Sequence, residues 1–294
     1  MFQGSYVALI TPMLDTGEVD YQSLESLVKF HIENGTHGIV AVGTTGESAT
    51  LPFDEHIKVV SSVVKYVNNA VPVIAGTGAN STDEAVFLTK EIGKVGVDGF
   101  LSVVPYYNKP QQRGLIAHFT AIADASELPV ILYNVPSRTV LDMTSETVAT
   151  LSKHPNIVGL KDATGDLSRL TELKALVDES FLIFSGDDAT GCEFMNSGGH
   201  GVISVSSNIA PSIMARMCDA AISGKVAEST QLDQGLQNLH KTLFIAPNPV
   251  IPKWALYKMG LISTPTLRLP MVLPELNEQI SIEQELKKLG LINN

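Results

Sequence analysis

A chain of 294 residues exceeds the usual size of one domain, although one large α/β barrel with an appendage accommodates it. Its 20 Lys+Arg against 31 Asp+Glu give a formal net charge of -11, which argues against nucleic acid or an anionic membrane as partner, since both need clustered cations. Hydrophobic residues make up 44% and charged residues only 17%, below the ~25% typical of soluble domains, so part of the outer surface is expected to be buried in an oligomer.

Short β-rich runs recur along the chain, at 6–13, 38–45, 71–78, 99–107, 128–136, 157–164, 181–188 and 201–208. They are nearly continuous in Val, Ile and Leu, as expected for parallel strands covered on both faces. Helical periodicity fills the gaps. In 21–34 the set Leu24, Leu27, Val28 and Ile32 marks one face, and Asn34-Gly35 supplies a stop. The segment from 80 to about 94 opens with the capping-box pattern Ser81-Thr82-Asp83-Glu84. Further helices are expected at 54–69, 112–126, 144–153, 166–178, 188–198 and 209–223. Eight alternations with right-handed crossovers predict a (β/α)8 TIM barrel over 1–224. A doubly wound sheet is the rival, but Ile10-Thr11-Pro12-Met13 is no glycine-rich phosphate loop. Strand signals then stop, and helices at 226–244, 251–260 and 274–290 predict a helical C-terminal extension over 225–294. Ala246-Pro247-Asn248-Pro249 reads as a separator within it.

Cys192 and Cys218 cannot build a disulfide framework for a chain this long. The start lacks the basic and apolar regions of a signal peptide, and no run of 18 apolar residues occurs. The expectation is a reduced, soluble, cytoplasmic protein. The seven histidines show no metal-binding spacing, there is no Walker motif, and Gly76-Thr77-Gly78 is a poor dinucleotide fingerprint. Neither a metal nor a cofactor is expected.

In such a barrel the reactive groups lie where strands end. Lys161, closing Ile157-Val158-Gly159-Leu160-Lys161, is the one basic residue in the eight runs. Burial disfavours a charged ammonium, and a free amine can form a Schiff base with a carbonyl. The alternative is a structural ion pair with Asp162 or a neighbouring carboxylate. Tyr133 lies one βα unit earlier, so both can stand on adjacent strands at similar height. Its phenol suits proton transfer between carbinolamine and imine, or else it is a core aromatic. Gly43-Thr44-Thr45-Gly46-Glu47 is either a carboxylate cradle or a simple turn. Arg138 suits a substrate carboxylate. It and Tyr106-Tyr107 are equally compatible with ordinary surface or interface.

Taken together, Gly43–Glu47, Tyr133-Asn134-Val135-Pro136 and Gly159-Leu160-Lys161-Asp162 resemble the pyruvate-dependent class I aldolase/lyase superfamily. Within it the chain is most similar, over its whole length, to the dihydrodipicolinate synthase family. Thr44-Thr45 and Arg138 favour that family over N-acetylneuraminate lyase and the 2-keto-3-deoxy sugar acid aldolases. A barrel that binds lysine or a keto acid without turnover is a remoter alternative.

The resemblance implies condensation of pyruvate with L-aspartate 4-semialdehyde through an imine on Lys161, in the diaminopimelate route to lysine. It implies a proton relay of Tyr133, Thr44 and Tyr107, the last from a neighbouring subunit of a homotetramer built as a dimer of dimers. Thr45 and the backbone of Gly186 and Ile203 would hold the pyruvate carboxylate, and Arg138 that of the semialdehyde. An inhibitory L-lysine site would comprise Ser48, Ala49, His56, Asn80, Glu84 and Tyr106. Phe53 departs from the histidine often found beside that pocket, which predicts partial, millimolar inhibition.

Overall fold

Continuous Val/Ile/Leu runs bury both faces of a strand, and a sheet made of such strands needs helices outside and packed side chains inside. The computed structural model, which describes residues 2–293, has that arrangement. The outer limits of the two predicted parts, positions 1 and 294, lie outside the described residues. The first half runs β1 (Gly4–Ala8), α1 (Tyr21–Glu33), β2 (Gly38–Ala41), α2 (Phe53–Val67), β3 (Val73–Gly76), α3 (Thr82–Ile92), β4 (Gly99–Val103) and α4 (Gln112–Ala123). Then follow β5 (Val130–Asn134), α5 (Pro136–Thr139), α6 (Ser145–Leu151), β6 (Ile157–Asp162), α7 (Ser168–Leu176), β7 (Leu182–Ser185), α8 (Asp188–Asn196), β8 (Gly201–Ser204) and α9 (Pro211–Ile222). All neighbouring strands are parallel, and β8 pairs with β1 to close the (β/α)8 barrel.

Strand alternation divides the core in two. Tyr6, Ala8, Val40, Ile74, Leu101, Ile131, Tyr133, Leu182, Phe184 and Ile203 fill the barrel interior. Their neighbours in sequence, among them Val7, Ile39, Leu132, Ile183 and Val202, join the larger layer between sheet and helices. Each such side chain, fully buried, contributes roughly 1.5–3 kcal/mol of hydrophobic free energy.

All eight expected strands exist, but they are shorter than predicted and most stop earlier. Residues 42–45, 77–78, 104–107 and 186–188 read as strand by composition, yet they belong to the loops and the first turn beyond the strand ends. In α1 the buried face is Leu24, Leu27, Val28 and His31, so His31 takes the place assigned to Ile32. Its ring bonds Thr36 Oγ1 at 3.1 Å, and burial pushes its pKa down to about 3. The stop at Asn34-Gly35 is present, with Gly35 at φ 76°. The predicted helix 226–244 is broken into α10 (Val226–Gln234) and α11 (Gln237–Thr242). Gly235, a weak helix former, and the fully buried Leu236 lie between them. Helices α12 (Val250–Lys258) and α13 (Leu276–Lys288) complete the chain, α10 packing on α9 and α13 on α11 and α12.

Candidate active site

The sequence-predicted pair meets inside the barrel. Tyr133 on β5 is in register with Lys161 on β6, which is in register with Phe184 on β7. Lys161 is 6% exposed, and its Nζ lies 4.2 Å from the Tyr133 ring centroid. The alternative ion pair does not form, because alternation sends Asp162 to the opposite face of the sheet. There Asp162 accepts from Arg169 Nε at 2.7 Å and from the Thr164 N–H at 2.8 Å. Among the described residues no carboxylate is ion-paired with Lys161.

Gly186 has a different part from the one expected. Its N–H is already donated to the Asp162 carbonyl at 2.7 Å, so it is not free for a carboxylate. Its missing Cβ matters instead, since an added one would stand 2.6 Å from Lys161 Cε. Ile203 is buried in the interior cluster that also holds Tyr133, and is in register with Tyr6 on β1.

The loop after β2 turns sharply at Val42, held at φ 52°, a left-handed conformation unfavourable to a β-branched residue. The turn leaves no room beside it: a Cβ on Gly76 would lie 2.2 Å from the Val42 carbonyl oxygen. Beyond it, Gly46 N–H bonds Gly43 O and Glu47 N–H bonds Thr44 O. Among the described residues the N–H groups of Thr44 and Thr45 have no internal acceptor, which suits them to an anionic oxygen. Thr45 is buried, and its Oγ1 accepts from Asn248 Nδ2 at 2.9 Å, so its own hydroxyl proton is left to donate elsewhere. Thr44 lines a cavity of about 410 Å3 whose wall also includes Val103, Val135, Arg138 and Asn248. Val103 on that wall is in register with Tyr133 on the neighbouring strand, which relates the cavity to the tyrosine.

Arg138 sits on α5, a single turn that the strand and helix pattern did not reveal, and reaches the Asn248 carbonyl at 3.4 Å. Tyr107, at φ 75°, is 91% exposed.

The same cavity extends to Ser48, Ala49, Phe53, His56, Glu84 and Tyr106. His56 Nε2 bonds the Gly76 carbonyl at 2.8 Å and must donate there, leaving Nδ1 as an acceptor. Burial pushes its pKa down to about 4. Only half of the expected capping box forms: the Ser81 hydroxyl accepts from the Glu84 N–H, while the exposed Glu84 carboxylate reaches the cavity wall. Asn80 precedes the cap, so helical spacing does not set its direction. Its amide donates to the Tyr106 carbonyl at 3.2 Å, bracing that turn. Phe53 stacks on Phe87 with centroids 5.6 Å apart.

Sequence reading missed the contribution of the C-terminal segment. Besides Asn248, the fully buried Lys253 forms an ion pair with Glu47, and Arg268 grips Glu55 at 2.5 and 2.9 Å while its backbone N–H bonds Glu47 at 3.1 Å. Burial holds the Lys253 pKa below its ordinary value, although Glu47 opposes the shift. The Pro-Asn-Pro run marks only a helix break, and nothing in it announces these partners.

A closed parallel barrel with a buried lysine and a tyrosine at matching strand ends defines a lyase of the Schiff-base-forming barrel class. The description "Dihydrodipicolinate synthetase family" matches residues 1–289, and the chain belongs to that family. It is 61% identical to the 4-hydroxy-tetrahydrodipicolinate synthase of Pseudoalteromonas atlantica, over 293 residues covering 100% of both chains. It superposes on the dihydrodipicolinate synthase of Acinetobacter baumannii complexed with pyruvate with a TM-score of 0.97, at 48% identity, covering 99% of this chain and 100% of that one. For the lysine-bound enzyme of Cyanidioschyzon merolae the values are 0.95 and 40%, covering 99% of each. Its activity is that of a 4-hydroxy-tetrahydrodipicolinate synthase, a lyase of lysine biosynthesis.

Proposed function

We propose that Lys161 is the amine that condenses with pyruvate, and that the resulting enamine attacks the aldehyde carbon of L-aspartate 4-semialdehyde. The observation that carries this reading is the buried lysine, without a carboxylate partner, against the face of Tyr133. Attack of Nζ on the keto carbon gives a carbinolamine, and loss of water gives the imine. Loss of a methyl proton gives the enamine. The substrate amine then closes the ring onto the imine carbon and expels Lys161. Tyr133 transfers protons at each stage, with Thr44 and a neighbouring subunit's Tyr107 leading them to solvent. The free N–H groups of Thr44 and Thr45 and the Thr45 hydroxyl receive the pyruvate carboxylate, and Arg138 that of the semialdehyde.

A homotetramer built as a dimer of dimers accords with the charge-poor composition, and across its dimer contact the 91% exposed Tyr107 would complete a partner's site. The barrel and the extension from 225 act as one unit, because Asn248, Lys253 and Arg268 brace the rim. Two buried free thiols fit a cytoplasmic location, and no helix among the described residues is long and apolar enough to cross a membrane.

L-lysine is the proposed inhibitor. Glu84 would take one ammonium, His56 Nδ1 offers an acceptor, and the Phe53 ring covers the aliphatic stem. The expected inhibition is partial and millimolar, and leaves pyruvate bound.

A coupled assay separates the activities: turnover with pyruvate and aspartate semialdehyde, and none in cleavage of N-acetylneuraminate or 2-keto-3-deoxygluconate. Turnover confined to a sugar acid would reject this reading. Titrating lysine against wild type and Glu84→Ala should abolish or strongly weaken inhibition in the variant. Identical curves would make the cleft structural.

A further inference from the structure

We infer that Asp142 and Arg169, on the outside of the barrel, hold β5 and β6 in the register at which Tyr133 and Lys161 meet. The inference rests on the reading of that pair as the reacting groups. Tyr133 and Lys161 point inward, so the next residues, Asn134 and Asp162, point outward, and these two are also in register. Both are buried, at 0% and 6% exposure. A buried carboxylate one residue from a reactive amine needs a partner of its own.

Arg169 on α7 supplies it and continues further. Its Nε donates to Asp162 Oδ2 at 2.7 Å, its Nη1 to Asp142 Oδ2 at 3.1 Å, and its Nη2 to the Met143 carbonyl at 2.9 Å. The other oxygen of Asp142 accepts from Asn134 Nδ2 at 2.7 Å, and Asn134 Oδ1 accepts from the Met143 N–H at 3.0 Å. The path Asn134, Asp142, Arg169, Asp162 and back across the ladder is closed. It joins the two strands through side chains in addition to backbone bonds.

The need for such a clamp lies in the ladder itself. Among the described strand pairs, β5 and β6 show a register shift, between Val130 and Ile131: Val130 faces Ile157 while Ile131 faces Gly159. The bulge leaves one β6 residue unpaired and disrupts the ladder locally, and a slip of one residue would turn Lys161 from the interior to the outer face. The clamp closes on the downstream side, at the residues next to the reacting pair. Asp142 and Arg169 are therefore positioning residues that touch no substrate.

Asp142→Ala is the first test, because its side chain is 47% exposed and its removal leaves Asp162 paired with Arg169. Arg169→Met would strand the buried Asp162 and endanger folding, so Arg169→Lys, which keeps a cation but loses the fork, is the second. Both should lower kcat and the rate of borohydride-trapped pyruvate adduct formation about tenfold, with KM nearly constant and melting shifted by only a few degrees. The double variant should be no worse than either single, because one bridge is broken in all three. Glu283→Ala, which opens the surface pair with Lys258, should leave both rates unchanged.

Native trapping rates in both singles would overturn the clamp, as would additive losses in the double. Failure of the underlying reading looks different: pyruvate would still be trapped in Lys161→Ala.

Discussion

The two ends of the barrel handle their polar groups in opposite ways. At the N-terminal ends of the strands, side chains are used up on the chain's own backbone. His37 Nδ1 accepts from Ser5 N–H at 2.9 Å, Asp98 from Val73 N–H at 2.7 Å, and His200 Nδ1 from Ile183 N–H at 3.0 Å. Asn156 donates to the carbonyls of Ala123 and Ser126. At the C-terminal ends, hydrogen-bonding capacity remains uncommitted: the N–H groups of Thr44 and Thr45, the buried Asn248 Oδ1, the Lys161 amine and the exposed Tyr107. Backbone strain follows the same division. Val42, Glu47, Tyr107, Lys109 and Val140 have positive φ in segments that follow strand ends, whereas at the other end, among the described residues, the non-glycine cases are Asn68 and Asn69 after α2, a residue type that tolerates this conformation. One end is built for stability, and the other keeps strained backbone and unspent groups for chemistry.

The largest test of that contrast is Lys161→Ala. Borohydride reduction with pyruvate should give no mass adduct, whereas the fold should survive, since the change removes an unpaired buried amine. An adduct that persists would place the nucleophile elsewhere. Tyr133→Phe comes next. General acid–base catalysis contributes about 10²–10⁴-fold, so kcat should fall by at least about 100-fold with melting almost unchanged. A kcat within a factor of a few of wild type would leave Tyr133 as an interior aromatic. Tyr107→Phe should retain the pyruvate adduct and slow turnover less than Tyr133→Phe does; full turnover would make it a packing residue.

Acid probes the buried imidazole rings. Burial pushes His31 down to about 3 and His56 and His118 down to about 4, against about 6.5 unfolded. Below pH 6.5 the unfolded chain binds protons that the fold refuses, so stability falls as pH drops through the window from 6.5 to 4. Each histidine contributes up to about 1.4 kcal/mol per pH unit. Melting temperatures measured from pH 7.5 to 5 should be flat above 6.5 and decline below it. A flat profile throughout would mean that these rings titrate normally.

The smallest effect belongs to the N-terminal end. His37→Ala leaves the Ser5 N–H without its acceptor and should cost roughly 1–2 kcal/mol. That is a lowering of a few degrees in Tm, with kcat unchanged. A fall in kcat at constant Tm would dissolve the distinction between the two ends.

The strand sequence, the barrel and the pairing of Tyr133 with Lys161 were legible in the sequence, because they depend on period and spacing that a linear reading preserves. A continuous apolar run names a covered strand, and one βα unit between two strand-end residues places them side by side. What only the tertiary structure decided is which polar atoms are committed and which are free. Gly186 spends its N–H on Asp162, and its missing side chain makes room for Lys161. Asn80 braces Tyr106, and Tyr107 is left exposed. Asn248 reaches Thr45 across 203 positions of sequence, and Lys253 and Arg268 lock Glu47 from a segment that reads only as a helix break. The physical reason is that hydrogen bonds saturate. A donor already paired cannot serve a substrate, and pairing is settled by neighbours that chain closure brings together, not by the residue's own place in a motif.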